Sequence, residues 1–325
     1  MSYATFGQLT EQLIEHFQNQ RYAEALELIM AEADNFPEDR MWADYWKMVS
    51  AARLENRELV YEVARRSLAD GLWYGEILWQ QSPSYTPLRG DPEFENIVAD
   101  SLQAQLKDLP AGEPIVISKV PVDHSRKSPL LIALHGNQYT AERTLPFWES
   151  AVIDGWVIAI PQSDQAMFKG AFAWDDLEKS KAYVTSQYEA LAKNTDFDAQ
   201  QVAIAGHSMG GLIAIQTALE GRIPVRGFIV NGPAVPYLEA PEKLDKLLIS
   251  ARERGLRAYF ILGEQDDAIN MAEVKNLAEK IKAAGIPCEV EMVPDATHNY
   301  SSVYNAALQR GLRFITNRLR REPQV

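Results

Sequence analysis

A single cysteine, Cys288, leaves this 325-residue chain no internal disulfide framework. It stands in the apolar stretch PCEVEMV, where it reads as a small buried hydrophobe on a strand. No apolar run approaches the ~18 residues that mark a membrane span. The opening MSYATFGQLTEQLIEHF lacks the basic-then-apolar pattern of a secretory leader, so the expected address is the cytoplasm. Basic charge is also scarce. Lys and Arg number 32 against 45 Asp and Glu, a net charge of −13, which argues against nucleic acid as a partner. No Cys/His group has the spacing of a metal site, and neither metal nor cofactor is expected.

What is present divides in two. Residues 1–110 hold 9 basic and 19 acidic side chains, whereas the rest hold 23 and 26. The first part reads as helices only, with Leu9, Leu13 and Phe17, then Tyr22, Leu26 and Ile29, at three-to-four spacing. A second pair follows, about 41–54 and 59–68. Asn19 and Asn56, 37 positions apart, mark the two turns. Tyr22-Ala-Glu-Ala-Leu26 resembles the second-helix start of a tetratricopeptide repeat, although such repeats run ~34 residues. Gly, Ser and Pro among the aromatics of 71–95 break the pattern. After a short helix at 92–106, Pro110-Ala-Gly112 marks the expected boundary. The expectation is a tetratricopeptide-like module over 1–110 and a second domain over 111–325.

Beyond the boundary, short Ile- and Val-rich runs alternate with helix-length stretches. The runs fall at 115–120, 130–134, 156–160, 202–205, 228–230, 259–262 and 290–293; helices are expected at 177–193, 211–219, 244–254 and 271–284. That alternation predicts an α/β fold, a doubly wound and mostly parallel sheet. The first two runs lie close enough to suggest an antiparallel hairpin.

Gly206-His207-Ser208-Met209-Gly210 follows the strand Val202–Ala205 and opens a helix. This is the strand–turn–helix context that gives a G-x-S-x-G pentapeptide meaning. The tight turn strains Ser208 and projects its hydroxyl at a helix N-terminus. A serine alcohol needs a base. His124 lies in the polar turn Asp123–Lys127 and is expected at the surface. His135 ends the strand 130–134, and His207 adjoins the nucleophile. His298, in a loop after the last strand, is the residue placed to reach Ser208. The base needs a carboxylate in turn. The strand 259–262 runs into Gly263-Glu264-Gln265-Asp266-Asp267, which offers three.

His135-Gly136, the serine pentapeptide, Gly263-Glu-Gln-Asp266 and His298, in that order and each at a strand end, resemble the α/β-hydrolase superfamily. Within it they look most like the phospholipase/carboxylesterase and dienelactone-hydrolase-like esterases. The resemblance covers about 114–320. It implies a Ser-His-Asp triad of Ser208, His298 and Asp266, the acid matching the family's Gly-x-x-Asp, with Asp267 as runner-up. It also implies oxyanion donors at Met209 and Asn137; where relatives carry a second glycine, this chain has Gln138. Gln138 and Trp174 are the expected substrate contacts. The loop Pro161–Trp174 would supply a pocket wall, and the short stretch before Tyr259 leaves no room for a large lid.

The activity implied is hydrolysis of a small carboxylic ester through an acyl-enzyme. A thioesterase or an acyl-peptide hydrolase would use the same residues. A non-catalytic peptide-binding scaffold is the reading of another class. The helical module leaves a protein partner or self-association as a further use.

Overall fold

The computed structural model describes residues 3–109, 116–121, 127–235 and 241–316. Residues 110–112 and His124, both named above, lie outside them. The chain divides into two compact units, Met1–Gly112 with Gln165–Ala171, and Glu113–Asp164 with Phe172–Val325.

The first unit contains α1 (Phe6–Gln18), α2 (Tyr22–Glu32), α3 (Arg40–Arg53), α4 (Arg57–Ala69), α5 (Glu76–Gln81) and α6 (Pro92–Asp108). Caps set their ends. The Thr5 hydroxyl accepts from Gln8 N–H, Asn56 from Leu59 N–H, and Asp91 from Glu93 N–H ahead of Pro92. Asn19 and Asn56 are not equivalent: the first closes α1 and the second opens α4. The true spacing shows in the helix starts, 6 and 40, then 22 and 57, which are 34–35 apart. In this acidic unit one carboxylate, Asp44, is buried. It survives there because Arg66 (2.8 Å), Lys47 (3.3 Å) and Arg40 (3.4 Å) surround it.

The stretch 161–174, expected to wall a pocket, is shared between the two units. It forms β4 (Gln165–Phe168) and β5 (Ala171–Ala173), and residues 165–171 belong to the helical unit. Gly75 N–H bonds Met167 O at 2.6 Å, and Phe168 packs edge-on against Trp42 with ring centroids 5.0 Å apart. Burial of these apolar side chains decides their place.

The second unit is built on one sheet. Its strands are β1 (Val116–Lys119), β2 (Leu130–Leu134), β3 (Val157–Pro161), β6 (Val202–His207), β7 (Gly227–Asn231), β8 (Arg257–Gly263) and β9 (Cys288–Val293), in the order β1-β3-β2-β6-β7-β8-β9. All pairs are parallel except β1 with β3. The expected β1–β2 hairpin is therefore incorrect. Both edges of β2 are taken, by β3 and β6, and β1 joins on the far side of β3.

Alternation along the strands separates two cores. Leu130, Ile132 and Leu134 of β2 face one layer with α9 (Leu177–Asn194), α10 (Ser208–Glu220), α11 (Pro241–Glu253) and α12 (Met271–Ala283). Leu131 and Ala133 face the other, with α7 (Ala141–Trp148), α8 (Ser150–Ile153) and α13 (Tyr304–Thr316). β2, β3, β6 and β7 are buried along their whole length, as strands covered on both faces must be.

Candidate active site

Ser208 is the first residue of α10 and directly follows β6. Its φ is +53°, a left-handed conformation that costs an L-residue about 1–2 kcal/mol. The neighbouring glycines make the turn possible. A Cβ at Gly206 would lie 2.3 Å from Gly210 O, and one at Gly210 would lie 2.2 Å from His135 O. The strain is held by a helix and a strand that are both buried, and the hydroxyl is left at the positive end of α10.

The loops after β8 and β9 bring the other two groups. His298 Nε2 lies 3.0 Å from Ser208 Oγ, and its Nδ1 lies 3.0 Å and 3.2 Å from Asp266 Oδ2 and Oδ1. Asp266 is almost wholly buried, and its Oδ1 also accepts from Ala268 N–H at 3.1 Å. With Nδ1 donating to the carboxylate, Nε2 presents its lone pair to the serine hydroxyl. Asp267 and Glu264, the other carboxylates of that loop, are exposed and make no such contact.

Two backbone donors remain open beside this chain of groups. Met209 is in the first turn of α10, where N–H groups have no intrahelical acceptor. Asn137 N–H has no acceptor among the described residues, whereas Gln138 N–H is bonded to Phe172 O (2.7 Å) and Tyr139 N–H to Gly136 O (3.3 Å). Gln138 takes φ +70°, the conformation a glycine would favour. Its side chain is exposed, and Asn137's is engaged: Oδ1 accepts from Trp174 N–H (2.9 Å) and Nδ2 donates to Asp175 Oδ1 (3.2 Å). Trp174 is fully buried and spends its indole N–H on His135 O at 2.8 Å. Its place is beneath the loop rather than on a pocket wall.

Two further histidines, neither in the hydrogen-bonded chain, pack behind it. His135 Nε2 accepts from Ser163 N–H (3.1 Å), so the proton sits on Nδ1 and is donated to Gly136 O (2.7 Å). His207 lies against Asn231 (3.0 Å), with its ring centroid 4.8 Å from that of His298 and 4.7 Å from that of Tyr300. Burial pushes both imidazoles down to about 4; at His207 the neighbouring His298 adds to this. An unfolded chain takes up protons near 6.5 at these positions. Between about pH 6.5 and pH 4 the unfolded state therefore binds protons that the folded state refuses. The stabilisation is complete above about pH 6.5 and is lost as pH falls toward 4, on the order of a few kcal/mol in total. Urea midpoints measured at about pH 7.5 and about pH 5 check this, the second being the lower; equal midpoints would contradict it.

Asn231, Tyr300 and Asp175 carry no catalytic motif, and their place in the site is visible only in the fold. Among the described residues no helix is long and apolar enough to cross a membrane.

Comparison with known proteins agrees with this architecture. Residues 159–311 match the dienelactone hydrolase family, a span that contains Ser208, Asp266 and His298. The crystal structure of an uncharacterised protein from Bacillus cereus ATCC 10987 is similar along nearly the whole chain. It is 24% identical, with 98% of this chain and 99% of that one covered and a TM-score of 0.55. The crystal structure of esterase PE8 is 17% identical, covering 63% of this chain and all of its own, with a TM-score of 0.52. At these identities the likeness is one of fold. Over 159–311 the chain is thus similar to the dienelactone hydrolase family, on a mostly parallel seven-stranded sheet covered by helices on both faces, together with a helical N-terminal region.

Proposed function

We propose that the protein is a serine esterase that cleaves a small carboxylic ester through an acyl-enzyme. The observation that carries this reading is the unbroken Ser208–His298–Asp266 hydrogen-bonded chain beside two open N–H donors. Ser208 Oγ attacks the carbonyl carbon while His298 Nε2 takes its proton. The N–H groups of Met209 and Asn137 receive the oxyanion; one such donor is worth about 10²–10³ in kcat in related chemistry. Collapse expels the alcohol, which leaves with the proton from His298. Water then gives a proton to His298 and bonds to the acyl carbon; the Ser208 Oγ–carbon bond breaks, Oγ takes the proton back from His298, and the acid leaves. Gln138, exposed beside the donors, is the residue of this loop free to meet substrate.

The experiment is labelling with a fluorophosphonate, paired with hydrolysis of p-nitrophenyl butyrate. The intact protein should show both, and Ser208→Ala should lose both while remaining folded. A folded wild type that is neither labelled nor active would end the esterase reading.

The helical unit is best read as tetratricopeptide-like, because its paired helices recur at 34–35 residues. A peptide partner or self-association is the use such hairpins serve. A cytoplasmic location fits a chain whose single cysteine leaves it no internal disulfide.

A further inference from the structure

We propose that the site selects its ester by charge: it takes neutral or ammonium-bearing substrates and turns away those carrying a carboxylate or phosphate. This rests on the esterase reading above and adds the substrate class.

Three loops at the strand ends carry Asn137, Asp266 and His298, and the carboxylates on these loops and on the segment that Asn137 bonds have no basic side chain beside them in sequence. On that segment stands Asp175, exposed, held at 3.2 Å by the side chain of Asn137, whose N–H is one of the open donors. On the loops of Asp266 and His298 stand Glu264, Asp267 and Asp295, all exposed. Asp267 follows the carboxylate that holds His298, and Asp295 precedes His298 by three positions. These two loops are tied together: Gln265 N–H bonds Ala296 O at 2.9 Å, and its side chain reaches Asp295 at 3.2 Å.

None of these four carboxylates has a Lys or Arg partner among the described residues. No Lys or Arg occurs in 135–140, 172–176, 232–235, 264–270 or 294–303. The nearest cations along the chain are on the helices that follow. Arg143 of α7 lies over the Tyr139 ring, with 5.2 Å from guanidinium carbon to centroid, and Lys179 of α9 pairs with Asp164 at 3.1 Å. Lys243 and Lys275 lie in α11 and α12. The loops that bring Asn137, Asp266 and His298 to Ser208 therefore carry exposed carboxylates and no cation of their own, a field of negative sign. Such fields change the local concentration and capture rate of charged ligands by tenfold or more at low salt.

The test uses three butyrate esters of similar size on the full chain. Their alcohols end in a trimethylammonium, in the neutral tert-butyl isostere, or in a carboxylate. At about 0.01 M salt kcat/KM should be about tenfold higher for the cation than for the anion, with the neutral ester between. At about 1 M salt, where the screening length shrinks to about 3 Å, the three should converge. The combination Glu264→Gln, Asp267→Asn, Asp295→Asn should flatten the order at low salt; adding Asp175→Asn, which keeps an acceptor for Asn137, should flatten it further. Labelling of Ser208 by cationic and anionic fluorophosphonates should follow the same order.

Turnover of all three esters at equal rates at low salt, or a preference for the anion, overturns the proposal and leaves the esterase reading standing. So does an order indifferent to both salt and neutralisation. If Ser208 neither labels nor turns over any ester, the esterase reading falls and the charge proposal with it.

Discussion

Replacing Asp266 by Asn should lower kcat on a neutral ester by about 10⁴-fold, the cost of a wrong histidine tautomer in a Ser-His-Asp triad. The geometry says why the amide cannot substitute. Oδ1 of Asp266 accepts from Ala268 N–H at 3.1 Å, so in the variant the amide oxygen is drawn to that position. The NH₂ then occupies the place of Oδ2, the nearer of the two oxygens to His298 Nδ1 (3.0 Å against 3.2 Å for Oδ1), and it can only donate. Nδ1 becomes the acceptor and the ring proton moves to Nε2, which faces Ser208 at 3.0 Å with no lone pair to offer. KM should change little, since the acid is buried behind the histidine. Asp267→Asn is the control. It alters an exposed side chain and should leave kcat on the neutral ester within about twofold. Steady-state kinetics of the two variants, with thermal melts to establish folding, decides the matter. A kcat within tenfold of wild type for Asp266→Asn would remove Asp266 from the proposed mechanism.

Much of this site was legible before the fold was known, for a physical reason. A strained serine turn requires glycines at fixed offsets and an apolar strand before it, so Gly206, Ser208 and Gly210 announce themselves locally. Alternating apolar runs did the same for the sheet, because parallel strands buried on both faces have few polar residues to confuse the pattern. The failures were of long range. Nothing in Val116–Lys119 says that its partner is β3 and not β2, since pairing depends on which strand edges remain vacant. Trp174 is expected to meet substrate because a similar Trp stands in related esterases, and its burial does not show in the sequence. Only the fold shows its indole N–H given to His135 O. Asn19 and Asn56 do not give the spacing of the two hairpins, because asparagine serves either end of a helix, by different hydrogen bonds.

Gly232 is the clearest case of a residue whose role is invisible in one dimension, and it carries the second large effect. It follows β7 with φ +48°, its N–H fixed to Ile261 O at 3.0 Å, and its backbone runs alongside the Asp266–His298 pair. A Cβ there would stand 2.8 Å from Asp266 Oδ2 and 3.2 Å from His298 Nδ1. Neither neighbour can yield freely: the carboxylate is tied to Ala268 N–H, and the imidazole must stay within reach of Ser208. Gly232→Ala should therefore separate the acid from the base, and a displacement of about 1 Å in such a group costs about 10²-fold in rate. The loss should fall on kcat, with KM unchanged. Backbone strain alone has a built-in control in Gly255, which takes φ +70° with nothing within 4 Å of the added methyl. Gly255→Ala should lose about 1–2 kcal/mol of stability, the left-handed penalty, and keep its full kcat. Gly232→Ala should lose at least as much stability and about a hundredfold in kcat as well. If the two alanine variants lose equal stability and both keep their activity, Gly232 is only a turn residue, and the pair it shields tolerates more movement than its contacts suggest.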